Sequence, residues 1–301
     1  MEQKLLEELR AKQLCNPNER ITLTAFINAE DNTPSDVWHV TIEERDYVLK
    51  KAKGYEAEVY TAFFSRSCKY IPHCITSMPF NGEQYLLLEY VSGNDLCRCE
   101  REALKKVLDA LISLQNTYWE TTEYDDVAFT FEKSLVQRKN RMPYLKDPVL
   151  EAAYERFLCA YQCTPRTLCH DDLLPFNVLI DEHKATLIDW EIAGMLPYPT
   201  SLARLLAHTE ENENAFFYMT DLDKEFAIEY YYRQLPMRKG ISYRAFRQTL
   251  DLFLLYEYCE WIMLGNKYED SDKDRYEHYL RKAKLHLQNM DSNQKSLHEP
   301  G

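Results

Sequence analysis

Positive charge is scarce in this chain: 36 lysines and arginines stand against 49 aspartates and glutamates over 301 residues, for a formal net charge of −13. Nucleic acids and anionic membrane surfaces are bound by basic faces, so neither is an expected partner. Long apolar runs are missing as well. No stretch approaches the roughly 20 apolar residues that span a bilayer. The opening Met1-Glu2-Gln3-Lys4-Leu5-Leu6-Glu7-Glu8-Leu9 is charged and amphipathic, unlike a signal peptide. A soluble, cytoplasmic protein is expected. The nine cysteines form an odd set with no C-x-x-C pair. Cys97-Arg98-Cys99 and the Cys159, Cys163 spacing lack the paired knuckles of a structural zinc site, so they read as reduced, buried thiols. Internal repeats and low-complexity linkers are also lacking. What is present is 45% hydrophobic and 13% aromatic content, enough to bury one large core or two modest ones.

The chemistry gathers in one stretch. Cys169-His170-Asp171-Asp172-Leu173-Leu174-Pro175-Phe176-Asn177-Val178-Leu179-Ile180 contains H-x-D-x-x-x-x-N, and Ala185-Thr186-Leu187-Ile188-Asp189-Trp190-Glu191 brings a second acid behind an apolar run. A carboxylate facing a substrate hydroxyl and an amide facing a metal can share one loop when about four residues separate them, as Asp172 and Asn177 are separated. Val178-Leu179-Ile180 and Thr186-Leu187-Ile188 read as two short strands joined by the polar turn Asp181-Glu182-His183-Lys184. That hairpin would swing Asp189 back beside Asn177, so that two oxygen ligands converge on one cation.

These residues resemble the aminoglycoside phosphotransferase and choline kinase group, whose usual loop reads H-G-D-x-x-x-x-N, followed by a strand ending in I-D-W/F-E. The resemblance implies a two-lobed, protein-kinase-like α+β fold: an N-terminal antiparallel sheet with one helix, and a larger, mostly helical C-terminal lobe. It implies Mg²⁺-dependent transfer of the terminal phosphate of ATP or GTP to a hydroxyl of a small molecule. Asp172 would be the catalytic base, Asn177 and Asp189 the metal ligands, and His170 a structural residue. Two positions depart from the family pattern. Asp171 stands where Gly is usual, without glycine's backbone freedom and with a second carboxylate beside the base. Ser201 stands where relatives carry an Asp before the Leu-Ala pair, so whatever that carboxylate anchors must be held otherwise.

Taken in order, residues 2 to 14 read as a helix and residues 21–27, 37–42 and 46–50 as three strands of a meander. Between the first two strands lies Asn28 to Asp36, where a kinase fold hangs its phosphate-covering loop; here it holds no glycine. Lys50 ends the third strand, and Gly54 to Phe64 reads as the helix behind it. In the resembling family a strand Lys grips the nucleotide phosphates and a helix Glu fixes its aim, which assigns Lys50 and Glu56. Lys51 and Glu58 are the alternatives in register, because Lys50 and Lys51 must face opposite sides of a strand. Residues 74–78 and 85–91 give two more strands around the turn Asn81-Gly82. Backbone groups around Glu89, Tyr90 and Val91 are the expected adenine-edge contacts. The lobes divide near residue 92, giving 1–91 for nucleotide binding and 92–301 for catalysis and substrate.

Beyond residue 92 the pattern is helical: Arg101 to Thr117, weakly Phe131 to Lys139, Val149 to Tyr161, a start at Thr200 or Ser201, Glu225 to Gln234, Tyr243 to Leu264 and 270 to 288, with a loose tail from Asn289. Helical spacing makes Tyr243 to Leu264 a core helix with a solvated edge, yet Asp251, Glu257, Glu260 and Trp261 form an acidic and aromatic strip that could receive a cation. With the net charge of −13, the acidic runs Thr209-Glu210-Glu211-Asn212-Glu213 and Glu257-Tyr258-Cys259-Glu260-Trp261 give a negative cleft and a cationic acceptor as the expectation. Two rival readings are weaker. A metal-dependent phosphohydrolase of the HD type needs further His ligands, and His39 and His73 lie in the other lobe while His183 lies in the hairpin turn. A scaffold or coat-type protein that keeps the fold without catalysis is suggested by the glycine-free loop, Asp171 and Ser201, but Asp172, Asn177 and Asp189 are all present.

Overall fold

The computed structural model describes residues 2–11, 20–27, 33–65, 68–235, 240–268 and 272–295. Helix α1 (Glu2–Ala11) packs Leu5 and Leu9 onto the sheet that follows. Strands β1 (Ile21–Ile27), β2 (Pro34–Ile42) and β3 (Arg45–Lys51) form the meander, and α2 (Glu56–Ala62) follows. β4 (Cys74–Phe80) and β5 (Glu83–Glu89) complete an antiparallel sheet of order β1-β2-β3-β5-β4. Alternation sets its faces: Trp38, Val40 and Ile42 of β2 turn inward with Leu49 and Leu87 against α1. β2 begins at Pro34, three residues before the strand read from its β-branched core, because Pro34 pairs with Ile27 at an edge where no ladder N–H is needed. The loop expected over the phosphates lies largely outside the described residues, at 28–32, as do residues 12–14 of the first expected helix.

The remaining chain is mostly helical. It runs through α3 (Arg101–Thr117), α4 (Phe131–Arg141), a 3₁₀ turn (Met142–Tyr144) and α5 (Pro148–Cys163). α5 starts as its sequence dictates, with Pro148 in the first turn and the Asp147 carboxylate capping the N–H groups of Val149 and Leu150. Strands β6 (Arg166–Cys169), β7 (Val178–Ile180), β8 (Ala185–Leu187) and β9 (Gly194–Pro197) come next, pairing as β6 with β9 and β7 with β8. Helices α6 (Pro199–Ala207), α7 (Asp221–Gln234), α8 (Tyr243–Tyr268) and α9 (Lys273–Lys295) close the chain. This is the expected α+β arrangement of an N-terminal antiparallel sheet and a helical C-terminal part.

Several readings change. β6 and β9 had no sequence signal, since four-residue strands buried along nearly their whole length show no alternation. β5 stops at Glu89, leaving Tyr90 and Val91 past the ladder. α6 opens on Pro199, a residue suited to a first helical turn, one position before the expected start. The segment from Asn289 continues α9 as far as Lys295, because Leu287 and Met290 are buried against the helical core.

Candidate active site

Lys50 and Lys51 leave β3 on opposite faces, and their partners separate their roles. Lys51 reaches Glu83 at 3.0 Å on the outer face, and Glu58 is exposed. Lys50 turns inward, its Nζ 2.9 Å from Glu56 Oε1 and hydrogen-bonded to Asp189 Oδ1. Burial alone would lower the ammonium's pKa, but Glu56 and Asp189 outweigh it and hold Lys50 above its ordinary value. Burial pushes Glu56 up against the pull of Lys50, and its second oxygen has no partner among the described residues. The register of α2 depends on one glycine. Gly54 lies at φ +51°, where a Cβ would come within 2.5 Å of the Glu191 carbonyl oxygen, and that carbonyl accepts the Tyr55 N–H at 2.7 Å. The start of α2 is thereby fastened to the Asp189 loop, and Glu56 with it.

The loop from Cys169 to Asn177 is built from inside outward. His170 is fully buried; its Nε2 donates to the Ile188 carbonyl at 2.8 Å and its ring lies 4.5 Å from that of Trp190. Burial lowers its pKa, so it is a neutral support between the catalytic loop and the Asp189 loop. Ser201 answers what replaces the missing carboxylate: its hydroxyl accepts the His170 backbone N–H at 2.9 Å. Asp171 does occupy a glycine-like conformation, at φ +56°. Its carboxylate takes a 2.7 Å bond from Arg138, whose guanidinium lies 4.7 Å from the rings of both Tyr161 and Tyr256. Burial still pushes Asp171 up to about 6, with Arg138 opposing. The extra carboxylate is therefore turned into the core and away from Asp172.

Asn177 sits beside Asp172, its side-chain amide donating to the Asp172 carbonyl at 2.8 Å. The Ile188 N–H donates to the Asn177 carbonyl at 3.0 Å, so the β7–β8 hairpin sets Asp189 next to Asn177. Asp189 lies at φ +69°, and Lys50 lowers its pKa against the effect of burial. Glu191 is close enough to interact with it, and burial and that neighbour both raise Glu191. No cluster of three or more His, Cys, Asp or Glu forms a metal site among the described residues. The Asn177 and Asp189 oxygens are nevertheless hard donors of the kind Mg²⁺ takes in ones or twos, with phosphates and water completing its shell.

These groups stand at one end of a cavity of about 270 Å³ between the sheet and the hairpin. Val37, Val48, Leu88, Val91, Leu179 and Ile188 make its apolar walls; Lys50, Glu56, Asn177, Asp189 and Glu191 make its polar end. Glu89 and Val91 border it. Tyr90 does not, its ring lying 5.2 Å from that of His39.

The sequence matches the phosphotransferase enzyme family over residues 29–235. The chain belongs to that family. This makes the protein a phosphotransferase, a small-molecule kinase acting on hydroxyl groups. Solved structures share its fold at low identity. A choline kinase from Cryptosporidium parvum Iowa II has a TM-score of 0.63 at 13% identity, over 96% of this chain and 98% of that one. Amicoumacin kinase hAmiN, solved with AMP-PNP, Ca²⁺ and Ami, has 0.62 at 13%, over 96% of each. An aminoglycoside phosphotransferase from Alicyclobacillus acidocaldarius has 0.59 at 13%, over 95% and 93%. No curated protein sequence matches the chain.

One part of this phosphotransferase's site was not foreseen. Arg204 of α6 donates from Nε and Nη2 to Asp172 Oδ1 at 3.0 and 2.8 Å, and from Nη1 to Glu257 and Glu260 of α8 at 2.9 Å each. Arg141 caps the other oxygen of Glu260. Burial pushes Glu257 up to about 7, with Glu260 adding to it and Arg204 opposing; Glu260 is drawn down to about 2 because Arg204 and Arg141 overcome its burial. His208 lies 3.2 Å from Arg204, and burial holds its pKa well below the usual value. Its Nε2 also lies 3.3 Å from Glu257 Oε2, and its Nδ1 is hydrogen-bonded to the Tyr279 hydroxyl at 2.8 Å. A signal existed in the sequence. Glu257 falls on the apolar face of α8 set by Phe246, Leu250, Phe253 and Leu254, and a carboxylate there needs a buried cation.

Proposed function

We propose that this phosphotransferase moves the terminal phosphate of ATP or GTP, with Mg²⁺, to a hydroxyl of a small molecule, using residues 1–91 for the nucleotide and 92–301 for catalysis and acceptor. The observation that carries this is the convergence of Lys50, Asn177 and Asp189 on one end of a cleft whose other walls are apolar. The apolar walls suit a base, and the polar end suits a metal-bound polyphosphate. Mg²⁺, held by Asn177 and Asp189, would neutralise charge on the transferring phosphate. Lys50 moves from Asp189 to the phosphates when nucleotide enters, while Glu56 keeps hold of it. Asp172 orients the acceptor hydroxyl and takes its proton. Glu89 and Val91 border the cleft, and their backbone is where the base edge would pair.

Two of the three features that suggested a scaffold role are met by a partner within the chain, Asp171 by Arg138 and Ser201 by the His170 N–H, while the glycine-free loop lies largely outside the described residues. One support for the expected cationic acceptor weakens. Glu257 and Glu260, two of the strip's three acids, already hold Arg204 and Arg141. Thermal melting with millimolar ATP or GTP, with and without Mg²⁺, tests the reading: stabilisation that requires both metal and nucleotide is expected. No shift with either nucleotide would overturn it.

A further inference from the structure

If the protein transfers phosphate as proposed, Asp172 is the group nearest the acceptor hydroxyl, and the role of its neighbour Arg204 rests on that function. The side chain of Asp172 is 31% exposed and that of Arg204 only 12%. Both guanidinium bonds to Asp172 fall on Oδ1, which leaves Oδ2 as the oxygen able to accept a proton from the acceptor. Behind Arg204, Glu257 and Glu260 present the paired carboxylates that a substrate ammonium would need, and the guanidinium already spans them. The aromatic faces nearby are covered in the same way. Arg275 lies 5.2 Å over Trp261, and Lys282 lies 5.2 Å from the Tyr258 ring. A cationic acceptor would have to displace built-in cations, while an anionic one would meet the partly exposed Asp172 carboxylate.

We propose that Arg204 is a positioning residue for Asp172 and that, by pairing with Glu257 and Glu260 as an internal cation, it restricts the acceptor beside Asp172 to uncharged hydroxyl compounds such as sugars or polyols. Arg204 keeps Oδ2 aimed at the acceptor, and removing it both loosens Asp172 and opens a cation seat. A planar fork makes this contact from three nitrogens at once, which a lysine's single ammonium does not reproduce.

The test uses the full chain. Wild-type protein is screened by coupled nucleotide turnover against neutral sugars and polyols, hydroxylated amines and hydroxy acids, and a neutral best acceptor is expected. Arg204→Ala should lose about tenfold or more in kcat with nucleotide KM nearly unchanged, and Arg204→Lys should recover only part of that loss. Independently of turnover, millimolar guanidinium chloride should raise the melting temperature of Arg204→Ala above that in sodium chloride of equal strength, and should not do so for wild type. A cationic best acceptor, an undiminished kcat in Arg204→Ala, or no guanidinium-specific stabilisation would overturn the proposal. If Arg204→Ala does not fold, the wild-type acceptor preference and the kcat of Arg204→Lys decide. Absence of any nucleotide-dependent transfer by wild type would instead count against the function, and the guanidinium melt would still read the Glu257–Glu260 pair.

Discussion

The Ser201 hydroxyl accepts the backbone N–H of His170 at 2.9 Å, both groups being fully buried, so the first turn of α6 holds the catalytic loop from beneath. Ser201→Ala leaves that N–H without a partner, at a cost of about 1–3 kcal/mol. Chemical denaturation should show the loss as a lower midpoint with an unchanged slope. If the bond matters for the loop, kcat also falls; stability unchanged within error would mean the N–H finds another acceptor.

Asp171 and Arg138 form a pair that is hard to dismantle one side at a time. Asp171→Gly relieves the backbone at φ +56° but strands a buried guanidinium, and the net loss should be about 3 kcal/mol or more. Joining it with Arg138→Met removes the stranded charge and should recover a large share of that loss. A double-mutant cycle in unfolding free energy measures the coupling, and simple additivity would show that the pair acts as two independent groups.

Much of the site could be read from spacing alone, because the groups concerned belong to one loop and one hairpin. Asp172, Asn177 and Asp189 are brought together by β7 and β8, whose strand residues and turn are local signals. Strand alternation said only that Lys50 and Lys51 face opposite sides; the choice of Lys50 with Glu56 came from the resemblance, and the contacts of the two lysines now separate them. Arg204 and Arg138 were not read, since each lies on a helix far in sequence from its partner, and Glu257 was read only as part of a strip open to an outside cation. Their one mark is a charge on an otherwise buried helical face, which says that a counter-charge exists without saying where. β6 and β9 escaped for a related reason: short buried strands carry no period. The strip taken as a cation receptor was composed of the right residue types, but its cation came from α6.

Asp172 and Asp189 should fail differently. Asp172→Asn keeps the shape and hydrogen bonds around Arg204 but cannot take a proton, so kcat should fall by about 10²–10⁴ with nucleotide binding nearly intact. Asp189→Ala removes both the oxygen proposed to hold Mg²⁺ and the resting partner of Lys50. Mg²⁺-dependent nucleotide stabilisation should then disappear from the melting curve. An Asp172→Asn variant with most of its activity would move the base elsewhere.

The Glu257–Glu260 pair gives a pH dependence whose direction can be worked out. Glu257 is raised from 4.5 to about 7 because it is buried beside Glu260, so the native state favours its protonated form. Below pH 4.5 the unfolded carboxyl is protonated too, and the contribution to stability is fully present. As pH rises towards 7 the unfolded state releases its proton first, and the contribution is lost through that window. Glu257→Gln carries no such proton: its amide keeps an oxygen for Arg204 at every pH. The free-energy difference between wild type and Glu257→Gln, measured by denaturant unfolding at intervals from pH 4.5 to 8, should therefore fall steadily in the wild type's disfavour and level off above about 7. A flat difference would mean that Arg204 keeps Glu257 ionised throughout, with both of its Nη1 partners charged. In that event Arg204→Ala should weaken the protein progressively as pH rises over the same range, since two buried carboxylates would then face each other without their shared cation.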